Sequence, residues 1–170
     1  NDPDGMLYAA TMFGDLYKID PSTGNVLTKV EQFRGTDNNA GLLSHLDFLD
    51  IDRDSQKELI APSVDHNVYC LSAGDFTLRW QYDTGNENQM PLSFSDITGD
   101  GKPDIFLVND YDLRLCVLDG QTGRLLASAK IREDEKMKQT LLVVANYPSS
   151  KFPQIIVKSK PDKLRVFRIK

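Results

Sequence analysis

The chain has 170 residues, 40% of them hydrophobic and 26% charged, a balance that excludes a disordered or fibrous polypeptide and suffices for one buried core. Its net charge of −5 argues against nucleic acid as the main partner, because phosphate contacts need a positive surface. No apolar run approaches the roughly 18 residues that a membrane span requires. The chain opens on Asn1-Asp2-Pro3-Asp4 with neither an initiator Met nor a signal pattern, as expected of a trimmed, processed or excised segment. Short runs rich in Val, Ile, Leu, Phe and Tyr then follow one another, separated by turn residues every 8–12 positions or so, which predicts strands. The first lies at 6–11; the next two flank the turn Pro21-Ser22-Thr23-Gly24, whose glycine supplies the positive φ a hairpin needs. Leu46 and Phe48 alternate at period two ahead of an acidic turn, and strands are expected around Leu59, Val68–Leu71 and Leu78–Trp80. The same order returns with Leu92 and Phe94, a second acidic turn, Ile105–Val108, then Leu115–Leu118 and Leu125 around Gly120-Gln121-Thr122-Gly123. The polar run 132–138 reads as a connecting loop, before strands near 142–144, 155–157 and 164–169.

A repeat organises these elements. Asp50, Asp54 and Glu58 superpose without a gap on Asp96, Asp100 and Asp104, and Pro153-Gln154-Ile155 sits on Pro103-Asp104-Ile105 in a weaker third copy. Asp50 to Asp96 is 46 positions and Asp96 to Asn146 is 50, a spacing suited to four-stranded propeller blades. The fold class expected is therefore all-β: β-propeller blades of four-stranded antiparallel sheets in one repeat region, 1–170. About four blades are predicted, near 4–33, 42–85, 90–131 and 140–170. With strands labelled a to d from hub to rim, the middle two blades are complete, the first begins at strand b, and the last ends after strand c. The expectation is an arc of a larger propeller, with a second chain over the open edges as the alternative.

The acidic turns carry the candidate chemistry. Asp96, Thr98, Asp100 and Asp104 occupy positions 1, 3, 5 and 9 of a loop, with Gly101 at position 6 for the sharp reversal and the Lys102 carbonyl at position 7. Asp50, Asp52, Asp54, the Gln56 carbonyl and Glu58 form the second set. Alternating oxygen donors on a tight turn can converge on a hard cation such as Ca²⁺. An EF-hand is excluded, since its position 12 demands Glu and these loops place Ala61 and Leu107 there. The fourth-blade loop offers Asn146, Pro148, Ser150 and Gln154, without a carboxylate, and is expected to bind nothing.

The Asp-x-Asp/Asn-x-Asp-Gly-x-x-Asp pattern after Leu-x-Phe resembles FG-GAP/VCBS repeats, the blades of integrin-α-like propellers. That resemblance implies two Ca²⁺ sites with the ligands just named, in loops joining strands a and b. It also implies a non-catalytic adhesion module for a protein or carbohydrate ligand, at the cell surface, in the periplasm or in a secretory lumen. The Asp-x-x-Thr-Gly turns at Asp20–Gly24 and Asp119–Gly123 resemble the quinoprotein-type repeat of PQQ dehydrogenases and related scaffold propellers. Two rivals follow from these likenesses: part of a propeller enzyme (a polysaccharide lyase or PQQ-type dehydrogenase), or an assembly scaffold for which calcium is incidental.

No nucleophile elbow, P-loop or dinucleotide fingerprint occurs. His45 and His66 lie apart within the second blade, and structural roles are expected for both. Cys70 and Cys116 fit no metal spacing and fall in strand c as small buried apolar residues. Tyr69 and Trp80 read as packing between blades. The alternating basic and apolar run 163–170 reads as a strand with one wet face, a polyanion site being the alternative.

Overall fold

A computed structural model describes residues 5–33, 41, 45–87, 91–109, 114–130, 141–145, 154–160 and 163–168. All regular structure among them is β-strand: β1 (Leu7–Ala10), β2 (Leu16–Ile19), β3 (Val26–Val30), β4 (Asp47–Leu49), β5 (Glu58–Pro62), β6 (Asn67–Ser72), β7 (Leu78–Asp83), β8 (Ser93–Ser95), β9 (Asp104–Asn109), β10 (Arg114–Leu118), β11 (Leu125–Lys130), β12 (Leu141–Ala145), β13 (Gln154–Lys160) and β14 (Lys163–Arg168). They form four antiparallel meanders, β1-β2-β3, β4-β5-β6-β7, β8-β9-β10-β11 and β12-β13-β14. The middle two have four strands and the outer two have three, in agreement with the blades expected from the repeat. The connecting run 132–138 lies outside the described residues.

The chain divides into two compact units, residues 1–89 and 90–170, each holding two meanders. In the first unit the meanders stack face to face. Strand alternation puts Tyr8, Ala10, Leu16 and Val30 on one face of the first meander, where they pack against Phe48, Leu59, Ala61, Tyr69 and Leu71 of the second. Phe33, just past β3, meets the Tyr69 ring edge-on at 4.9 Å. Tyr69 thus packs between neighbouring blades as expected, and Trp80 is buried on the outermost strand opposite Cys70. The reverse face of the first meander is open. Leu7 there is 56% exposed, whereas Leu59, its counterpart in the second meander, is fully buried.

One hairpin turn is built three times. Gly24, Phe76 and Gly123 each donate their backbone N–H to the carbonyl four residues earlier, on Asp20, Ser72 and Asp119. All three have positive φ (72°, 61° and 68°), and a bulge in the strand pairing precedes each turn. Gly74 in the middle copy therefore does not play the role of Gly24; Phe76 does. A bulky residue in left-handed backbone is strained, and burial of the Phe76 ring against Tyr8, centroids 6.2 Å apart, offsets that cost.

Phe76→Ala keeps the unfavourable backbone and empties a buried position, so it should lower unfolding stability by about 3–5 kcal/mol in a denaturant titration. Leu125→Ala, at an exposed position of β11, should change it by less than about 1 kcal/mol.

Candidate functional site

The acidic turns join β4 to β5 and β8 to β9, the two innermost strands of each complete meander. Each closes on a buried carboxylate at the first residue of the following strand. Glu58 Oε2 accepts the Ile51 N–H at 3.1 Å, and Asp104 Oδ2 accepts those of Ile97 and Thr98 at 2.9 and 3.1 Å. The first Asp reaches across the turn in both: Asp50 Oδ2 accepts from Ser55 N–H at 3.1 Å, Asp96 Oδ2 from Gly101 N–H at 2.8 Å. The middle Asp braces the next corner, Asp54 Oδ1 taking Gln56 N–H and Asp100 Oδ1 taking Lys102 N–H. Two corners need left-handed backbone. Gly99 and Gly101 supply it cheaply in one loop, while Arg53 (φ 65°) and Ser55 (φ 71°) adopt it in the other.

The loops differ in how their charge is met. In the first, Asp50, Asp52 and Glu58 each bring a carboxylate oxygen within 4.8 Å of the others, and Asp50 Oδ1 is buried without a hydrogen-bond partner. Arg79, on β7, flanks this cluster: one guanidinium nitrogen pairs with Asp52 at 2.6 Å, the other with Glu58. Asp54 points into its own corner, and Gln56 and Asp54 are exposed. In the second loop Asp96, Asp100 and Asp104 form no such cluster, and their oxygens serve backbone amides. Thr98 donates its N–H to Asp104, and Lys102 closes the Asp100 corner. As folded, the Arg79 guanidinium meets two of the first loop's three clustered carboxylates, and the second loop's carboxylates accept from backbone amides. In the fourth meander Gln154 begins β13, while Asn146, Pro148 and Ser150 lie outside the described residues.

Ionisation follows these partners. The Arg79 guanidinium holds the Asp52 carboxyl below the ordinary carboxylate range. Burial pushes Glu58 up, against the Ile51 amide and Arg79, which pull it down. Burial also raises Asp104, again opposed by the two backbone amides it accepts from. Burial, with Glu58 nearby, drives the Cys70 thiol up to about 12, so it is an inert apolar filler. Beside Arg79 a shallow cleft of about 420 Å³ opens, lined by Tyr8 and Lys18 of the first meander and by Lys57, Ser72 and Gly74 of the second.

At the opposite end of the blades the turns are braced by hydrogen bonds and differ in polarity. In the β1–β2 turn Thr11 Oγ1 accepts the N–H groups of Phe13 and Asp15, and the tip presents Met12 and Phe13 at 71% and 66% exposure. Gly14 (φ 84°) has no room for a side chain, since a Cβ would stand 3.0 Å from the Phe33 carbonyl. In the matching β5–β6 turn His66 (φ 76°) takes that place and its carbonyl accepts from Thr84. There Asp65 Oδ2 accepts the Tyr69 hydroxyl at 2.6 Å and Oδ1 the Asn67 N–H at 3.2 Å, a buried polar knot against which Gly41 packs. His45 is exposed just before β4, and both cysteines are buried in the third strand of their meanders.

Residues 3–147 match the family model described as outer membrane protein assembly factor BamB, a PQQ-type repeat. The chain belongs to that family. Among solved structures it is similar to Sqt1 from Saccharomyces cerevisiae, at 13% identity and a TM-score of 0.68, covering 98% of this chain and 41% of that one. It is also similar to BamB from Moraxella catarrhalis, at 16% identity and a TM-score of 0.53, covering 95% of this chain and 46% of that one. The chain thus spans less than half the length of the propellers it matches. No curated protein sequence matches. The family match makes the meanders within residues 3–147 quinoprotein-type blades, and the structural likenesses extend the propeller fold across the chain.

Sequence reasoning missed Arg79. A signal was available inside the repeat: Asp52, Glu58 and Arg79 correspond to Thr98, Asp104 and Leu126, so the extra carboxylate and the extra guanidinium occur together. Because the folded Asp52 titrates below its unfolded value, its contribution to stability is complete above about pH 4 and is lost as pH falls through the folded value. Asp52→Asn should therefore melt lower than the parent at pH 7, with the gap narrowing as pH falls below about 4.

Proposed function

We propose that this BamB-family chain is part of a non-catalytic propeller scaffold that docks partner proteins in an envelope assembly process, in a periplasmic, outer-membrane-associated setting. The family match over residues 3–147 carries this reading. Its chemistry is consistent with the geometry: the carboxylates of the acidic turns hold the backbone of their own loops, and the Met12-Phe13 turn tip carries the two most exposed large apolar side chains among the described residues. Met12 and Phe13, held out by the Thr11 hydroxyl and the Gly14 corner, are suited to insert into an apolar notch on a partner. The open face of the first blade, with Leu7 exposed, is suited to receive a further blade of a larger propeller or a neighbouring chain. Among the described residues no helix is long and apolar enough to cross a membrane.

In-cell crosslinking from the native host, followed by reconstitution with the purified partner, tests the proposal. A component of outer-membrane protein assembly should be recovered, and Met12→Asp with Phe13→Asp should weaken its binding at least tenfold with an unchanged circular dichroism spectrum. Recovery of no such component would refute it. A calcium-dependent adhesion module is the second reading, favoured by the convergence of Asp50, Asp52 and Glu58. It requires binding to a glycan or protein ligand that chelator abolishes.

A further inference from the structure

We infer that Arg79 is the built-in cation of the second blade's acidic turn, doing there what a divalent ion would otherwise do and leaving that turn independent of metal. Three carboxylates gathered within 4.8 Å repel one another, and a positive charge beside them relieves that repulsion. The Arg79 guanidinium answers two of them, its two terminal nitrogens engaging Asp52 and Glu58 separately in the fork geometry for which arginine is suited, while Asp50 accepts the Ser55 amide through Oδ2 and keeps Oδ1 buried without a hydrogen-bond partner. Glu58 is only 2% exposed, so its charge cannot be met by water. An ion coordinated by Asp52 and Glu58 would have to displace that guanidinium, and the two occupants exclude each other.

The repeat supplies an internal control. Where the third blade lacks the position-three carboxylate (Thr98), it also lacks the arginine (Leu126), and its shorter closing acid, Asp104, is satisfied by two backbone amides. Charge and countercharge have been added or removed together. The longer reach of Glu58 belongs to the same change: one of its oxygens keeps the Ile51 amide, as Asp104 keeps that of Ile97, and the other extends to Arg79. Arg79 is accordingly a positioning residue for the turn, and it also forms a wall of the cleft against the first blade.

Thermal melting of the 170-residue chain in millimolar calcium chloride or in EDTA tests the inference. The parent should melt at one temperature in both. Arg79→Met should melt roughly 5–10 °C lower in EDTA and recover at least half of that loss in calcium, with Tb³⁺ luminescence reporting a site absent from the parent. Adding Asp52→Asn to that variant should cost nothing further and should remove the calcium response. If Arg79→Met does not fold, the blade-three pattern Asp52→Thr, Glu58→Asp and Arg79→Leu should restore folding without calcium. A parent that melts higher in calcium than in EDTA would overturn the inference. So would an Arg79→Met protein that melts like the parent or gains no calcium response, or a blade-three pattern that stays unfolded. None of these readouts involves a docking partner, so this result and the scaffold reading stand or fall separately.

Discussion

A carboxylate placed at the buried first residue of an inner strand must be given hydrogen-bond donors, and in both acidic turns the donors are amides of the turn itself. Glu58 and Asp104 each reach back to the residue after the leading aspartate, pinning the turn to the sheet seven residues later. Everything else about the loops follows from that anchor. The left-handed corners at Arg53 and Ser55, or at Gly99 and Gly101, bring the chain round within the space available. The leading and middle aspartates then bind the amides those corners expose. The arrangement is an Asp-rich turn built around its own backbone, in which charge is a cost to be met.

The blades meet that cost differently, and the difference is instructive for repeat proteins. A repeat unit sits between neighbours, so its faces are dictated by stacking, but the ends of its strands are free to vary. At one end the second blade recruits Arg79 while the third does without. At the other end the first blade carries an exposed Met12-Phe13 tip and the second a buried knot of Asp65, Asn67 and Tyr69. Fold and face are shared; chemistry and contact surfaces are set turn by turn. That is the property a docking scaffold uses, because each blade can present a different tip from the same frame.

Much of this was legible in the residues themselves. The 46-residue register of Asp50 on Asp96 and the period-two alternation of Leu46/Phe48 and Leu92/Phe94 determined four meanders, the missing strands of the outer two, and the positions of both acidic turns. The hairpin glycines Gly24 and Gly123 announced their turns because φ near 70° is cheap only for glycine. Local rules suffice for these features, since strands and turns are read by neighbours in sequence. What tertiary structure decided is who answers the charges. Arg79 lies 27 residues from Asp52 and 21 from Glu58, on a strand that reaches them only after three passes of the sheet, so no motif window contains the pair. In the same way Phe76 replaces a glycine at a left-handed corner only because Tyr8, from another blade, covers its ring. Sequence spacing placed the oxygens and the turn amides beside them; the return of a distant strand determined that a guanidinium would meet Asp52 and Glu58.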